Sequence, residues 1–170
     1  MTQLKEHPEN LRRRVIALFF SGLLLMAVFA IWLGWACVDW GRFDLGWLNQ
    51  TLGLVLIVGG AALVVWSVRV QYVIGKGTPA PKVATLELVT QGPYAYSRNP
   101  MTLGALLLYL GIGVWMGSGV VVILTGIVFS GLLTFIYVHE TRELTERFGD
   151  AYLEYRKRTP FLLPRYRHPR

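Results

Sequence analysis

Four long apolar runs separated by short polar breaks dominate the chain, at residues 15–38, 45–68, 100–116 and 120–138. None contains a charged residue. The first two each exceed the roughly 20 apolar residues that a bilayer's hydrocarbon core demands of a helix. The third and fourth are split only by Gly117, Ser118 and Gly119, a turn so tight that the two must be antiparallel neighbours. The pattern predicts an all-α integral membrane protein with four transmembrane helices, a connector between the second and third, and a C-terminal juxtamembrane helical segment. Residues 1–170 are expected to form one domain.

The polar breaks carry their own signals. "GKGTPAP", residues 75–81, cannot continue a helix and predicts a loop. Asn99 followed by Pro100 is a helix start, because asparagine is a favoured N-cap and proline is tolerated at the first helical position. After the fourth run, "HETRELTERFGDAYLEYRKRTP" has helical composition with a break at Gly149 and Asp150. The fourth helix should therefore leave the membrane and reach about Phe148. Asp150 should cap a short helix that stops before Pro160.

Composition agrees with the pattern: 54% of residues are hydrophobic, 16% are charged, and the mean hydropathy is +0.45. A soluble domain of this length is more charged and less apolar. The net charge of +7 follows from topology, so no nucleic-acid partner is expected. Arg12, Arg13 and Arg14 precede the first run, and Arg69, Lys76, Lys82 and Arg98 lie between the second and third. A further set from Arg142 to Arg170 follows the fourth. Under the positive-inside rule both termini and the connector face the cytoplasm. The first run is too long for the ~7–15 residue core of a signal peptide and reads as a retained helix. Cys37 is the only cysteine, which excludes an intramolecular disulfide, and it should be buried in its apolar run. The histidines lack zinc-ligand spacing, and no metal site is expected.

The densest polar chemistry sits where the third helix begins, in "GPYAYSRNPMTLG", residues 92–104. The helix N-terminus there presents unpaired N–H groups suited to an anion. From Pro100 to Met116 the run covers roughly 25 Å at 1.5 Å per residue, against a core of about 30 Å. Arg98 thus stands slightly below the interface, where a lone charge is costly unless paired or functional. Glu140, at the exit of the neighbouring fourth run, arrives at the same membrane face. Glu140, Glu143 and Arg147 share one helical side. Spacing alone leaves a solvated, salt-bridged juxtamembrane helix with a snorkelling Arg98 as the plainer alternative.

These two stretches together resemble the isoprenylcysteine carboxyl methyltransferase and phospholipid N-methyltransferase superfamily of integral membrane enzymes. Gly92, Tyr94, Arg98, Asn99, Pro100 and Gly104 match the first part of its signature. Glu140, Leu144, Phe148, Gly149, Tyr152, Tyr155, Leu163 and Pro164 match the second, and the likeness covers residues 86–164. Thr102 stands where the family has tyrosine, Thr141 where it has a second glutamate, and Asn99 where the methylesterifying branch has histidine.

The resemblance implies methyl transfer from S-adenosylmethionine to a lipophilic acceptor, a phospholipid amine or an isoprenylcysteine-like carboxylate, at the cytoplasmic membrane face. It implies cofactor binding by Leu88, Val89, Gly92, Tyr94, Arg98, Asn99, Pro100 and Glu140. Arg98 and the helix start would hold the cofactor carboxylate and Glu140 its ammonium. Tyr94 and Tyr96 would stack on adenine or face the sulfonium. Arg98, Glu140, Glu143 and Arg142 are the candidate catalytic residues. Glu143 or His139 would take a proton from an amine acceptor, and Arg142 would steer a carboxylate one. An apolar wall of Leu103, Leu106, Leu107 and Tyr109 would receive the acceptor's chain. Two non-enzymatic readings remain beside this one, a four-helix transporter and a structural membrane protein. The first lacks the ionisable residue within a span that coupling requires, and the second leaves Arg98 and Glu140 without a role.

Overall fold

A computed structural model of the chain describes residues 8–37, 41–75 and 87–164, with backbone alone at 8–13, 139 and 140. The described residues form five α-helices: α1 (Pro8–Ala36), α2 (Trp47–Val73), α3 (Pro100–Met116), α4 (Gly119–Phe148) and α5 (Asp150–Arg158). A 3₁₀ turn (Gly92–Ala95) precedes α3. Three helical stretches are long and apolar enough to cross a membrane, Arg14–Ala36, Trp47–Val73 and Gly119–Phe148; α3 is a shorter apolar helix. The large exposed side chains of α1, α2 and α4, among them Leu25, Phe29, Val55, Ile123 and Ile127, are those a lipid-facing surface requires.

The helices outrun the apolar patches in three cases. α2 continues through Arg69 to Val73, and α4 carries its charged tail to Phe148, as the composition there predicted. α1 begins seven residues before its apolar run, at Pro8, and stops at Ala36. Hydropathy marks where lipid is, whereas a helix ends only where backbone hydrogen bonding fails. α3 matches its predicted bounds because strong punctuation stands on both sides. Pro100 opens it, and Gly117 closes it with a left-handed φ of 63° that satisfies the last carbonyls. Ser118 then caps α4, its Oγ accepting from the Val121 N–H at 3.4 Å.

Two expected caps take other roles. Asn99 stands at the N-cap of α3, but its side chain makes no cap bond; Nδ2 donates instead to Phe161 O at 3.2 Å. Asp150 lies inside the first turn of α5, and Gly149 holds the cap position. Cys37 is half-buried just past the end of α1 rather than buried within it.

The centre of the fold is the α2–α3 pair, packed backbone against backbone. A Cβ built on Gly60 would stand 2.5 Å from Gly104 O and 2.6 Å from Leu108 N, and one on Gly104 would meet Val64 N at 2.9 Å. Further along, Gly53 abuts Trp115 and Gly111 abuts Gly53 O and Ile57. In lipid, where apolar burial between helices gains little, such close approach supplies the dispersion contacts that hold spans together. Val64, Val68, Ala105, Tyr109, Ile112 and Phe129 fill the core around this seam. Tyr109 reaches across to α1, its hydroxyl donating to Leu23 O at 2.8 Å. Leu103 and Tyr109, expected to line an open wall, are buried in or beside this core. An apolar groove of about 280 Å³ lies instead between α1 and α4, with Met26, Phe29, Val121 and Val128 on its sides and Tyr109 at its floor.

Candidate active site

The motif segment is held at one end of the α2–α3 seam. Gly92 lies against α2, where a Cβ would come within 3.1 Å of Val70 Cγ2 and 3.6 Å of Trp66 Nε1. The 3₁₀ turn then buries Pro93 and Tyr94. Val89 is buried, Leu88 half-buried, and Tyr96 turns outward. Ser97, 2% exposed, braces the next turn, with Oγ accepting from the Asn99 N–H at 3.2 Å. Pro100 is fully buried where α3 begins.

The C-terminal segment closes over this turn. Tyr152 and Tyr155, three apart on α5, present one buried face. The Tyr155 hydroxyl donates to Tyr94 O at 2.7 Å, and Arg98 Nη1 donates to the Tyr152 hydroxyl at 3.0 Å. Beyond α5, the Arg98 N–H donates to Pro160 O at 2.9 Å, and its guanidinium lies 5.4 Å from the centroid of the Phe161 ring. Phe161 in turn meets Tyr137 of α4 edge-on, with centroids 5.4 Å apart. Arg98 is thus the point where the motif turn, α3, α4, α5 and the C-terminal segment converge.

Among the described residues, two buried polar atoms in this region have no hydrogen-bond partner. Arg98 Nε and Gln71 Oε1 are both buried and make no hydrogen bond. The glycine seam gives the register of Gln71. Two turns beyond the Val64–Gly104 contact, α2 is level with the residues just before Pro100. An orphan donor and an orphan acceptor therefore lie at the same end of one helix pair. Each such atom costs about 1–3 kcal/mol, and a site that leaves both unpaired is suited to a ligand with charges of both signs. Beside Arg98 a cavity of about 260 Å³ is lined by Arg156, Lys157, Arg158, Thr159, Pro160 and Phe161, a cationic wall facing solvent. A second cavity of about 450 Å³ lies nearby between Thr90, Ala95, Ala151 and Tyr155.

Of the residues predicted from sequence, the structure gathers Gly92, Tyr94, Arg98, Asn99 and Pro100 into this junction, with Val89 and Leu88 leading into it. Arg142 and Glu143 lie apart on the exposed part of α4. Arg142, 82% exposed, pairs with Glu146 at 2.9 Å, and Glu143 pairs with Arg147 at 3.3 Å. The backbone of Glu140 lies on α4 one turn beyond Tyr137; the side chains of Glu140 and His139 lie outside the described residues. The sequence named Tyr152 and Tyr155 without a role, and their three-residue spacing was the available signal. Phe161 and Gln71 carried none, the first being one apolar residue in a loop and the second a single amide near the end of a span.

A model of the phospholipid methyltransferase family matches residues 48–151, which reach from α2 to the start of α5. The chain belongs to the phospholipid methyltransferase family. It is 35% identical over 77 residues to protein-S-isoprenylcysteine O-methyltransferase of Schizosaccharomyces pombe, covering 45% of this chain and 33% of that protein. In fold it resembles the eukaryotic intramembrane Ras methyltransferase, an isoprenylcysteine carboxyl methyltransferase, with a TM-score of 0.61 and 15% identity. That superposition covers 85% of this chain and 52% of the other. The chain therefore spans about a third to a half of the length of these relatives. It is a multi-pass membrane protein of their helical architecture.

Proposed function

We propose that the protein transfers a methyl group from S-adenosylmethionine to a lipophilic acceptor at the cytoplasmic face of the membrane. The observation that carries this reading is the pair of unpartnered buried atoms, Arg98 Nε and Gln71 Oε1, at the junction formed by the family motif. They fit an amino-acid moiety, with the carboxylate on Arg98 and the α3 N-terminus and the ammonium toward Gln71 and Glu140. The segment Leu88, Val89, Gly92 and Tyr94 would take the adenine. Asn99 acts indirectly, holding Phe161 and so the C-terminal segment over the site. When bound, the cofactor supplies a methyl group on an electrophilic sulfonium.

What the chain itself contributes is alignment and the exclusion of water. Tyr152, Tyr155 and Phe161 form a lid over the motif turn, and Tyr152 and Phe161 hold the Arg98 guanidinium in place. An amine acceptor must lose a proton, for which Glu143 or His139 is the candidate base; Glu143 would first exchange its partner Arg147. A carboxylate acceptor needs no such base and would use Arg142 for steering. The family model favours a phospholipid amine and the 35% identical relative an isoprenylcysteine-like carboxylate. The acceptor's chain would enter from the bilayer toward the groove floored by Tyr109. That residue lies about 14 Å along α3 from Pro100, within reach of a long lipid chain.

The deciding experiment is cofactor binding by calorimetry in detergent, followed by transfer of labelled methyl to matched acceptors of short and long chain. We expect saturable binding of S-adenosylmethionine and turnover that rises with chain length. No binding would overturn the assignment, and equal rates for a water-soluble headgroup and its lipid form would overturn the bilayer route.

We propose further that residues 1–170 form a single domain, that α3 is a fourth span, and that both termini and the α2–α3 connector are cytoplasmic. The basic-residue asymmetry supports this sidedness, and local thinning of the bilayer would accommodate a helix of 17 residues. Single cysteines placed near Lys76 in a Cys37→Ala background should label from the cytoplasmic side; labelling only from outside would reverse the topology.

A further inference from the structure

The end of the bundle away from Arg98 carries a separate cavity. There α1 ends at Ala36, α2 begins at Trp47, and α3 and α4 meet at Gly117 and Ser118. The loop before α2 is stitched to that turn by main-chain bonds. The Phe43 N–H donates to Gly117 O at 2.9 Å, and the Gly119 N–H donates to Gly41 O at 3.0 Å. Asn49, buried at the start of α2, holds the loop from the other side; Nδ2 donates to Phe43 O and Oδ1 accepts from the Leu45 N–H, both at 3.2 Å.

This stitching fixes the backbone of Arg42, which bridges to Ser118, beside a cavity of about 230 Å³. Trp35, Trp115, Gln50, Met116 and Ser118 complete its walls. The Arg42 guanidinium makes no hydrogen bond, ion pair or ring contact among the described residues. Asp44, two residues on, is turned instead to the Gly46 N–H at 2.7 Å. Among the described residues the cavity thus presents a cation without a polar partner, on a backbone tied to the α3–α4 turn, in a lining shared with two indoles that are 71% and 50% exposed.

Indoles at helix ends sit at the level of lipid headgroups. A guanidinium at that depth meets phosphate oxygens, which it binds through a planar fork of donors. The indole faces and Met116 add apolar surface that suits a glycerol backbone and the first chain carbons. A free phosphate ion would leave that surface unused. The same cation disfavours a choline or ethanolamine ammonium between the indoles, since no acid among the described residues lines the cavity to receive it. We propose that this cavity is a headgroup site for an anionic phospholipid, in the leaflet opposite the candidate methyl-transfer site. The lipid phosphate rests on Arg42, and the bound lipid clamps the α1–α2 loop to the α3–α4 turn.

Native mass spectrometry of the full chain in detergent, titrated with phosphatidylglycerol and phosphatidylcholine, tests the site. We expect the first phosphatidylglycerol to bind about five- to ten-fold more tightly, because both lipids offer a phosphate to Arg42 but only phosphatidylcholine brings an ammonium beside that cation. Arg42→Gln should abolish that preference, while Arg156→Gln, at the other end of the bundle, should retain it. Millimolar inorganic phosphate should leave the bound lipid in place. The site is overturned if wild type shows no preference, if Arg42→Gln keeps it, or if Arg156→Gln alone removes it. Displacement by inorganic phosphate would overturn the lipid as its occupant. Because the Arg42 side chain makes no hydrogen bond or ion pair among the described residues, the variant should remain monodisperse.

Discussion

Leucine at Gly104 should prevent the bundle from assembling, while leucine at Gly126 should have no effect. At Gly104 a Cβ alone would come within 2.8 Å of Gly60 O and 2.9 Å of Val64 N, both main-chain atoms of α2. Neither neighbour can rotate away, so the whole helix would have to move. Overpacking a core ordinarily costs about 1–3 kcal/mol, and here the cost should reach or exceed the upper end because the obstacle is backbone. Moving α2 outward would also open the contacts of Val64 and Val68 with Ala105, Tyr109 and Ile112. At Gly126 nothing lies within 4 Å and the residue faces outward, so a leucine there only adds apolar surface against lipid. Size-exclusion profiles and thermal aggregation in detergent provide the measurement. A monodisperse Gly104→Leu protein with the wild-type melting temperature would show that the seam yields to a side chain. Gly60→Leu should behave like Gly104→Leu, because its Cβ meets Gly104 O and Leu108 N.

The glycine seam also shows what could be read from the chain and what could not. Four apolar runs gave four helices, and α3 fell between its predicted ends because Pro100 and Gly117 are backbone constraints that act locally. The outer ends of α1, α2 and α4 depended on how far a helix persists in the interface, and hydropathy does not report that. The seam itself was hidden. Glycines seven apart occur on both α2 and α3, but only the register of two antiparallel helices makes them meet. At the site, the motif located Arg98, Asn99 and Pro100, and their clustering follows from their adjacency in sequence. The bonds that hold Arg98 come from Tyr152, Pro160 and Phe161, more than fifty residues away, and depend on how α4 and α5 return to the motif turn. Gln71 was legible only through the seam's register. Arg142 and Glu143 lie on an exposed helix with partners four residues away, a pairing that spacing foretold for Glu143 and Arg147. Their proposed contact with an acceptor has no counterpart in the described geometry.

Arg98→Ala should weaken S-adenosylmethionine binding about 10- to 100-fold, the equivalent of roughly 1–3 kcal/mol for one charge-assisted bond. Methyl transfer should fall by at least as much, since a cofactor without its carboxylate anchor is also misaligned. The difficulty is that Arg98 has two roles. Nη1 and the face of the guanidinium hold Tyr152 and Phe161, and so hold the C-terminal segment, whereas Nε is the unpartnered atom assigned to the ligand. Tyr152→Phe separates them. It removes only the hydroxyl that accepts the 3.0 Å bond from Nη1 and keeps the ring in its buried place, 2% exposed. The loss should be about 1 kcal/mol of stability, with a lower melting temperature and cofactor affinity changed by less than about three-fold. Arg98→Lys keeps the charge but cannot present a fork of donors to both partners, so it should recover part of the affinity and little of the lid's stability. Calorimetry and melting curves on the three variants therefore move in different proportions. If Tyr152→Phe loses as much affinity as Arg98→Ala, Arg98 acts only by holding α5 in place, and the ligand's carboxylate must be held elsewhere. If Arg98→Ala binds the cofactor as wild type does, the orphan Nε is not part of the site at all.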